Sequence, residues 1–213
     1  MICFTDNDLI KKLAFCDLLD DALTALSACH GEIYVLPTAR YVLLKPMKNA
    51  DIARARLGDA VFDRLRSFLD RVTAIPIEPP MEQLSLFEDH VGIDPGEAVL
   101  FLACVNTEVC RVATGDKRSL RALHAEPAFF PVCEQLSGRV VCFEQIILRI
   151  IDQSGFDAAR SKIIPGSNCD TALRAVFGSG LESTEENVRT GLQSYIRDLR
   201  RETGSLLSLE FNV

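Results

Sequence analysis

Residues Asp94 to Leu123 read DPGEAVLFLACVNTEVCRVATGDKRSLRAL, and the order of features within them decides the fold. Asp94 is a favoured helix N-cap, and Pro95 fits a first turn, where its missing N–H has no intrahelical use. An apolar helix follows. Val109 to Ala113 predicts a strand, and Thr114-Gly115-Asp116 turns the chain into a second helix from Lys117 to Leu123. Glu97 falls in the first turn of the first helix, and Asp116 falls where the strand passes into the second. The opening residues MICFTDNDLI repeat the plan: Ile2 to Thr5 is apolar without alternation, as a strand buried on both faces should be, and Asp6 and Asp8 come directly after it. The pattern places these acids at one end of a parallel sheet, where they could hold a divalent metal.

The rest of the chain alternates in the same way. Leu9, Ile10, Leu13, Leu18 and Leu19 keep helical spacing, and Asp20 to Cys29 continues as helix up to His30-Gly31. Glu32 to Leu36 predicts a second strand ended by Pro37, with a helix over Thr38 to Leu44. Asn49 to Val72 carries a helical period through Ile52, Leu57, Val61, Leu65, Phe68 and Val72. Ala74 to Ile77 predicts a short strand, Met81 to His90 a helix, and Val140 to Phe143 a last strand followed by an apolar helix over Glu144 to Ile151. The expected fold class is α/β: a parallel sheet flanked by helices over residues 1–152, with a helical extension packed on it over 153–213. In that extension Ile163 to Gly166 reads as a break, and Cys169 to Phe177 and Glu185 to Arg201 read as helices. Ser183 and Glu186 have capping-box spacing. Ser208 to Phe211 is a doubtful strand. Leu192, Tyr195, Ile196 and Leu199 could bury on the sheet domain, form a homodimer or dock a partner protein.

Composition narrows the function classes. The chain has 213 residues, 48 % of them hydrophobic, which argues for a packed core and against global disorder. A net charge of −7 argues against coating nucleic acid by charge alone. It leaves room for an enzyme whose acidic pocket is neutralised by metal ions. The 8 Cys residues form no C-x-x-C pair. Cys3, Cys104, Cys110 and Cys142 lie in apolar runs and are expected to be free, buried thiols. MICFTDND reaches carboxylates at once, so no leader is expected, and the longest apolar run, near Ile146 to Ile151, is short and broken by Arg149. The expectation is a cytoplasmic protein in a reducing compartment, with no membrane partner.

Three carboxylates converging in one crevice repel each other strongly unless a cation neutralises them or some take up protons. Oxygen-only ligands suit Mg2+ or Mn2+ rather than zinc. Such a site can orient a water for attack on a phosphodiester. Each acid also has a plain structural role open to it: Asp94 with Glu97 as a capping box, Asp8 and Asp116 as N-caps. Basic residues between Arg40 and Arg71 suit either a phosphate-tracking rim or a solvated helix laced with ion pairs. His30, His90 and His124 show no ligand spacing.

The segments FTDNDLIKKLA, DPGEAVLFLAC and VATGDKRSLRAL together resemble the PIN-domain family of metal-dependent nucleases, over roughly residues 1–150. The resemblance rests on the first strand ending in Asp6, on Gly96-Glu97-Ala98 at a helix start, and on Thr114-Gly115-Asp116 between strand and helix. It implies a PIN-like parallel sheet, and Asp6, Glu97 and Asp116 as catalytic metal-site carboxylates with Asp8 as a further metal ligand. It also implies Mg2+ or Mn2+ as cofactor and single-stranded nucleic acid, chiefly RNA, as substrate. Lys11, Arg40, Lys117 and Arg118 are the candidate nucleic-acid contacts, and an antitoxin-like protein is a possible partner. The sequence departs from the family in lacking an acid on Thr38 to Leu44, and in having Ser119 where some members carry one. The competing readings are a degenerate binding module without cleavage activity and an unrelated metal-dependent phosphatase. The second is weakened because Asn7-Asp8-Leu9-Ile10 after Asp6 is not a D-x-D-x-T segment.

Overall fold

The computed structural model describes residues 2–27, 32–45, 50–76, 79–88 and 90–211. Its centre is strand β1 (Ile2–Thr5), which pairs in parallel with β2 (Ile33–Val35) on one side and β4 (Cys110–Thr114) on the other. The two-residue β3 (Thr73–Ala74) extends the sheet beyond β2, and β5 (Val140–Cys142) extends it beyond β4, giving the order β3-β2-β1-β4-β5. The chain therefore builds outward from β1 in one direction, returns, and builds outward in the other. The reversal lies between β1 and β4.

The proportions differ from the expectation. Helix takes most of the described residues, and the strands are two to five residues long. The expected PIN-like α/β class, a parallel-sheet domain with flanking helices, is corrected to a mostly helical protein around a small sheet. The connections explain why. After β1 come α1 (Asn7–Phe15) and α2 (Leu19–Ser27); between β2 and β3 lie α3 (Ala39–Leu44), α4 (Ala50–Leu57) and α5 (Asp59–Leu69). The single helical period read over Asn49 to Val72 is two helices, parted at Gly58, whose φ of 83° a side chain would resist. Met81 to His90 shortens to α6 (Met81–Leu84) and a 3-10 turn over Ser85–Phe87.

The decisive stretch folds as its features predict. α7 (Pro95–Val105) begins at a capping box: Asp94 Oδ1 accepts from Glu97 N at 2.9 Å, and Glu97 Oε2 accepts from Asp94 N at 2.9 Å. Leu100 to Cys104 are all buried, so α7 is enclosed on nearly every side. β4 leads into α8 (Lys117–Ala125), then α9 (Phe130–Gln135), β5 and the buried α10 (Phe143–Ser154).

Beyond α10 come α11 (Phe156–Gly166), α12 (Thr171–Val176) and α13 (Glu185–Thr203). Pro165 lies inside the last turn of α11, so the expected break at Ile163 to Gly166 falls at that helix's end. The cap of α13 is Thr184, whose side chain accepts from Asn187 N, one residue later than the predicted box at Ser183. Val188, Leu192, Ile196 and Leu199 are buried, and α13 packs on α8 and α10. Their spacing is that of one helix face. The strand expected over Ser208 to Phe211 does not form; just before it a single parallel bridge, Val140 to Leu207, is held by Val140 N to Leu206 O (3.0 Å) and Ser208 N to Val140 O (2.7 Å).

The expectation of free thiols is corrected at two positions. Cys104, at the end of α7, and Cys110, at the start of β4, form a disulfide across the turn that joins those elements. Among the described residues Cys16, Cys133, Cys142 and Cys169 are free. The side chain of Cys3, the helix end at His30-Gly31 and the strand end at Ile77 lie outside the described residues.

Gly166 is where the later helices meet α1 most closely: a Cβ there would stand 2.2 Å from Phe15 O and 2.9 Å from Cys16 N. Those atoms are backbone and cannot swing aside. Gly166→Ala should therefore lower the urea midpoint by an amount equivalent to about 1–3 kcal/mol, without a change in slope. An unchanged midpoint would mean that the helices are not seated this tightly.

Candidate functional site

At the reversal in strand order, the carboxyl ends of β1 and β4 open into a cleft of about 410 Å3. Open parallel sheets bind ligands at such a point. Asp6, Asp8, Asp94, Glu97 and Asp116 all line it, together with Lys11, Arg56 and Thr38. The three expected catalytic acids and the fourth expected ligand thus share one cavity. Sequence reasoning passed over Asp94 as a pocket residue because its capping role accounted for it, and passed over Arg56 as one basic residue among many. The wall from α3 supplies Val42 and Leu43 where the resemblance would put an acid.

Asp6 is the most constrained of these groups. Its Oδ1 accepts from Leu9 N at 2.6 Å, which caps α1, and its Oδ2 accepts from Gly115 N at 2.9 Å, across the sheet. Burial pushes its pKa up to about 6; the Leu9 N–H and the side chain of Thr114 oppose the shift, and Asp8 adds to it. Glu97, held by its capping box, is raised to about 7, chiefly by burial and further by the charges of Asp94 and Asp116. Ser119 hydrogen-bonds with Glu97 and acts in the other direction. Its hydroxyl also donates to Asp116 O at 3.0 Å.

Asp116 caps α8 through Arg118 N at 2.7 Å and forms an ion pair with the Arg118 guanidinium at 2.7 Å. Burial works against ionisation of this carboxyl, but the Arg118 side chain and backbone outweigh it and hold the pKa below the ordinary carboxylate value. Asp8 is half exposed and pairs with Lys12 Nζ at 2.7 Å; the same ammonium reaches Asp170 at 3.0 Å and Gly115 O at 3.1 Å. Sequence reasoning missed Lys12 and Asp170 because 158 positions separate them, and spacing carries no signal over such a distance.

The basic candidates divide. Lys11 lines the cleft. Arg118 is largely exposed and is paired with Asp116, which does line the cleft. Arg40 is turned away to Asp70 and to Leu69 O at 3.1 Å. Lys117 points to the far side of α8, where it pairs with the buried Glu144 and lies 4.8 Å from the centre of the Tyr195 ring.

The donor set is all oxygen, which fits Mg2+ or Mn2+ in kind. Among the described residues, however, no group of three or more His, Cys, Asp or Glu is gathered closely enough to form a ready metal cage. The acids share a cleft without converging on a point. The raised pKa values of Asp6 and Glu97 come chiefly from burial, with a smaller part from neighbouring carboxylates that a cation would offset.

No protein-family model, curated protein or solved structure matches the chain. Among the described residues no helix is long and apolar enough to cross a membrane.

A carboxylate whose folded-state pKa lies above its unfolded value binds its proton more tightly when folded. Stability must therefore fall as pH rises through the interval between the two values. For Asp6 and Glu97 that interval runs from about 4 to about 7. The full penalty, on the order of 3 kcal/mol for each group at its upper bound, is present only above it. Asp116 and Asp170 have depressed values, so their stabilising contributions are lost only at more acid pH and do not mask the effect. Urea midpoints measured in EDTA should drop between pH 5 and 8. Glu97→Gln, whose amide oxygen can keep the bond from Asp94 N, should flatten the upper part of that drop. A variant with the wild-type slope would show that Glu97 does not titrate there.

Proposed function

We propose that the chain is a divalent-metal-dependent nuclease that cleaves single-stranded RNA or DNA, with RNA the preferred substrate. The observation that carries this reading is the shared cleft: five carboxylates at the reversal between β1 and β4, with the cations Lys11 and Arg56 on its walls. The resemblance of the Asp6, Glu97 and Asp116 segments to PIN-domain nucleases supports the same chemistry.

Asp6, Asp8, Glu97 and Asp116 would hold Mg2+ or Mn2+, an ion that commonly keeps several of its own waters and so suits acids that line a cleft without caging it. When bound, the ion supplies a polarised water and neutralises charge at the leaving oxygen. Lys11 and Arg56 attract the phosphate backbone. Without a cation the Glu97 pKa is raised to about 7, so metal binding there would release a proton near neutral pH. Asp6 orients the start of α1 and the Gly115 turn toward the same opening.

A second reading is a nucleic-acid- or protein-binding module that does not cleave. It is favoured by the absorption of the Asp6 and Asp116 carboxylates in hydrogen bonds within the fold. Labelled single-stranded RNA with Mn2+ separates the two. The nuclease reading expects cleavage that EDTA abolishes. It also expects a loss of about 10²-fold or more in Asp6→Asn, Asp116→Asn and Glu97→Gln at unchanged RNA affinity. Cleavage unaltered in Asp6→Asn and Asp116→Asn removes the assignment, and EDTA-resistant binding without cleavage establishes the module. Protons compete with the metal for the raised carboxyls, so the apparent Mn2+ affinity measured by calorimetry should increase from pH 5.5 to 7.5.

A further inference from the structure

Outside the cleft, the chain brings together two cysteines that lie 153 residues apart in sequence. Cys16, fully buried, is the C-cap of α1; Cys169 ends the 3-10 turn over Ser167–Cys169, between α11 and α12. Their sulfurs stand 3.9 Å apart. The backbones that carry them are fixed against each other, since Gly166 lies on Phe15 and Cys16 with no room for a side chain. Cys169 is only partly covered and opens into a hollow of about 450 Å3, lined by Lys11, Lys12, Phe15, Gly166 and Asn168 among others. One thiol is thus reachable from solvent, and the other waits behind it, shielded. That is the arrangement of an attacking and a resolving cysteine.

We propose that Cys169 is an oxidation site for hydrogen peroxide and that Cys16 resolves it to an intramolecular disulfide. Cys169 thiolate attacks one peroxide oxygen: an S–O bond forms, the O–O bond breaks, and the departing oxygen leaves as water after taking a proton. The Cys169 sulfur is oxidised to a sulfenic acid as the peroxide is reduced. Cys16 sulfur then attacks Cys169: an S–S bond forms, the S–O bond breaks, and the hydroxyl leaves as a second water with the Cys16 proton. Two thiols and one hydrogen peroxide give one disulfide and two waters. The sulfurs must close from 3.9 Å to about 2.05 Å.

The local field favours this division of labour. The Cys16 thiol hydrogen-bonds to Cys169 and, together with the Lys12 ammonium, holds the Cys169 pKa below its ordinary value against burial and against Asp170 and Asp8. The same contact, followed by burial, pushes Cys16 upward. Cys133 and Cys142 are buried and shifted upward mainly by desolvation, so they serve as internal controls. The inference is independent of the nuclease reading, although the cross-link would tie α1, which carries Asp8 and Lys11, to the segment that holds Asp170.

The test treats the reduced full chain with equimolar hydrogen peroxide, blocks free thiols with a maleimide, and maps peptides without reduction. The expected result is a Cys16–Cys169 cross-linked peptide and labelling of Cys169 reduced about 10-fold relative to Cys133 and Cys142. In Cys16→Ala, Cys169 should remain as a sulfenic acid captured by dimedone. In Cys169→Ser, at the part-exposed position, both the cross-link and the dimedone adduct should vanish while circular dichroism is unchanged. Oxidation of Cys169 no faster than that of Cys133 and Cys142, or no Cys16–Cys169 peptide from wild-type protein, overturns the proposal.

Discussion

The arrangement depends on one buried carboxylate. Asp6 spends both oxygens on backbone N–H groups, one that begins α1 and one in the turn that begins α8. These turns follow the two central strands, so the bond across them keeps the ends of β1 and β4 in register just past the last rung of the sheet, Asp6 N to Ala113 O. The cost is a charge removed from water, visible as a pKa moved to about 6. Two backbone hydrogen bonds return part of that cost. The result is a cleft whose floor is already under electrostatic tension before any ligand arrives.

Lys12 answers that tension from behind. One turn along α1 from Asp8, it joins Asp8, Asp170 and the Gly115 carbonyl, so one ammonium links the first helix, the turn after β4 and the cap of α12. Burial alone would lower its pKa, but the two carboxylates raise it, and it stays charged. The late helices are in this way bound to the earliest ones by charge as well as by the continuous apolar core that runs from Leu9 to Phe211.

Much of the local structure was legible because it is encoded locally. Asp94, Pro95 and Glu97 announce a capped helix by residue type and spacing, and the apolar run of β4 with Thr114-Gly115-Asp116 announces a strand and its turn. The sharing of one cleft by Asp6, Asp8, Glu97 and Asp116 could be anticipated because each follows a strand or opens a helix. The balance of the fold was less legible. Strands of three residues and helices of six give periodic signals too short to weigh against each other, and only coordinates reveal how little of the chain the sheet takes up. Long-range pairs were invisible for a different reason: Lys12 with Asp170, Lys117 with Glu144, and Cys16 with Cys169 are chosen by tertiary packing. The Cys104–Cys110 link escaped notice because two cysteines in apolar runs read as core residues.

The Leu207 bridge to Val140 has a consequence for solution behaviour. A parallel sheet ends in a row of unpaired amides and carbonyls that another molecule could continue. On the β3 side the exposed rung is only two residues long, a poor template. On the β5 side three buried hydrophobic residues would form a far better one, but Leu206 O and Ser208 N take the N–H and carbonyl of Val140, and Gln145 Oε1 accepts from Cys142 N. Those bonds occupy the edge groups of β5 that an added strand would need in order to pair with it.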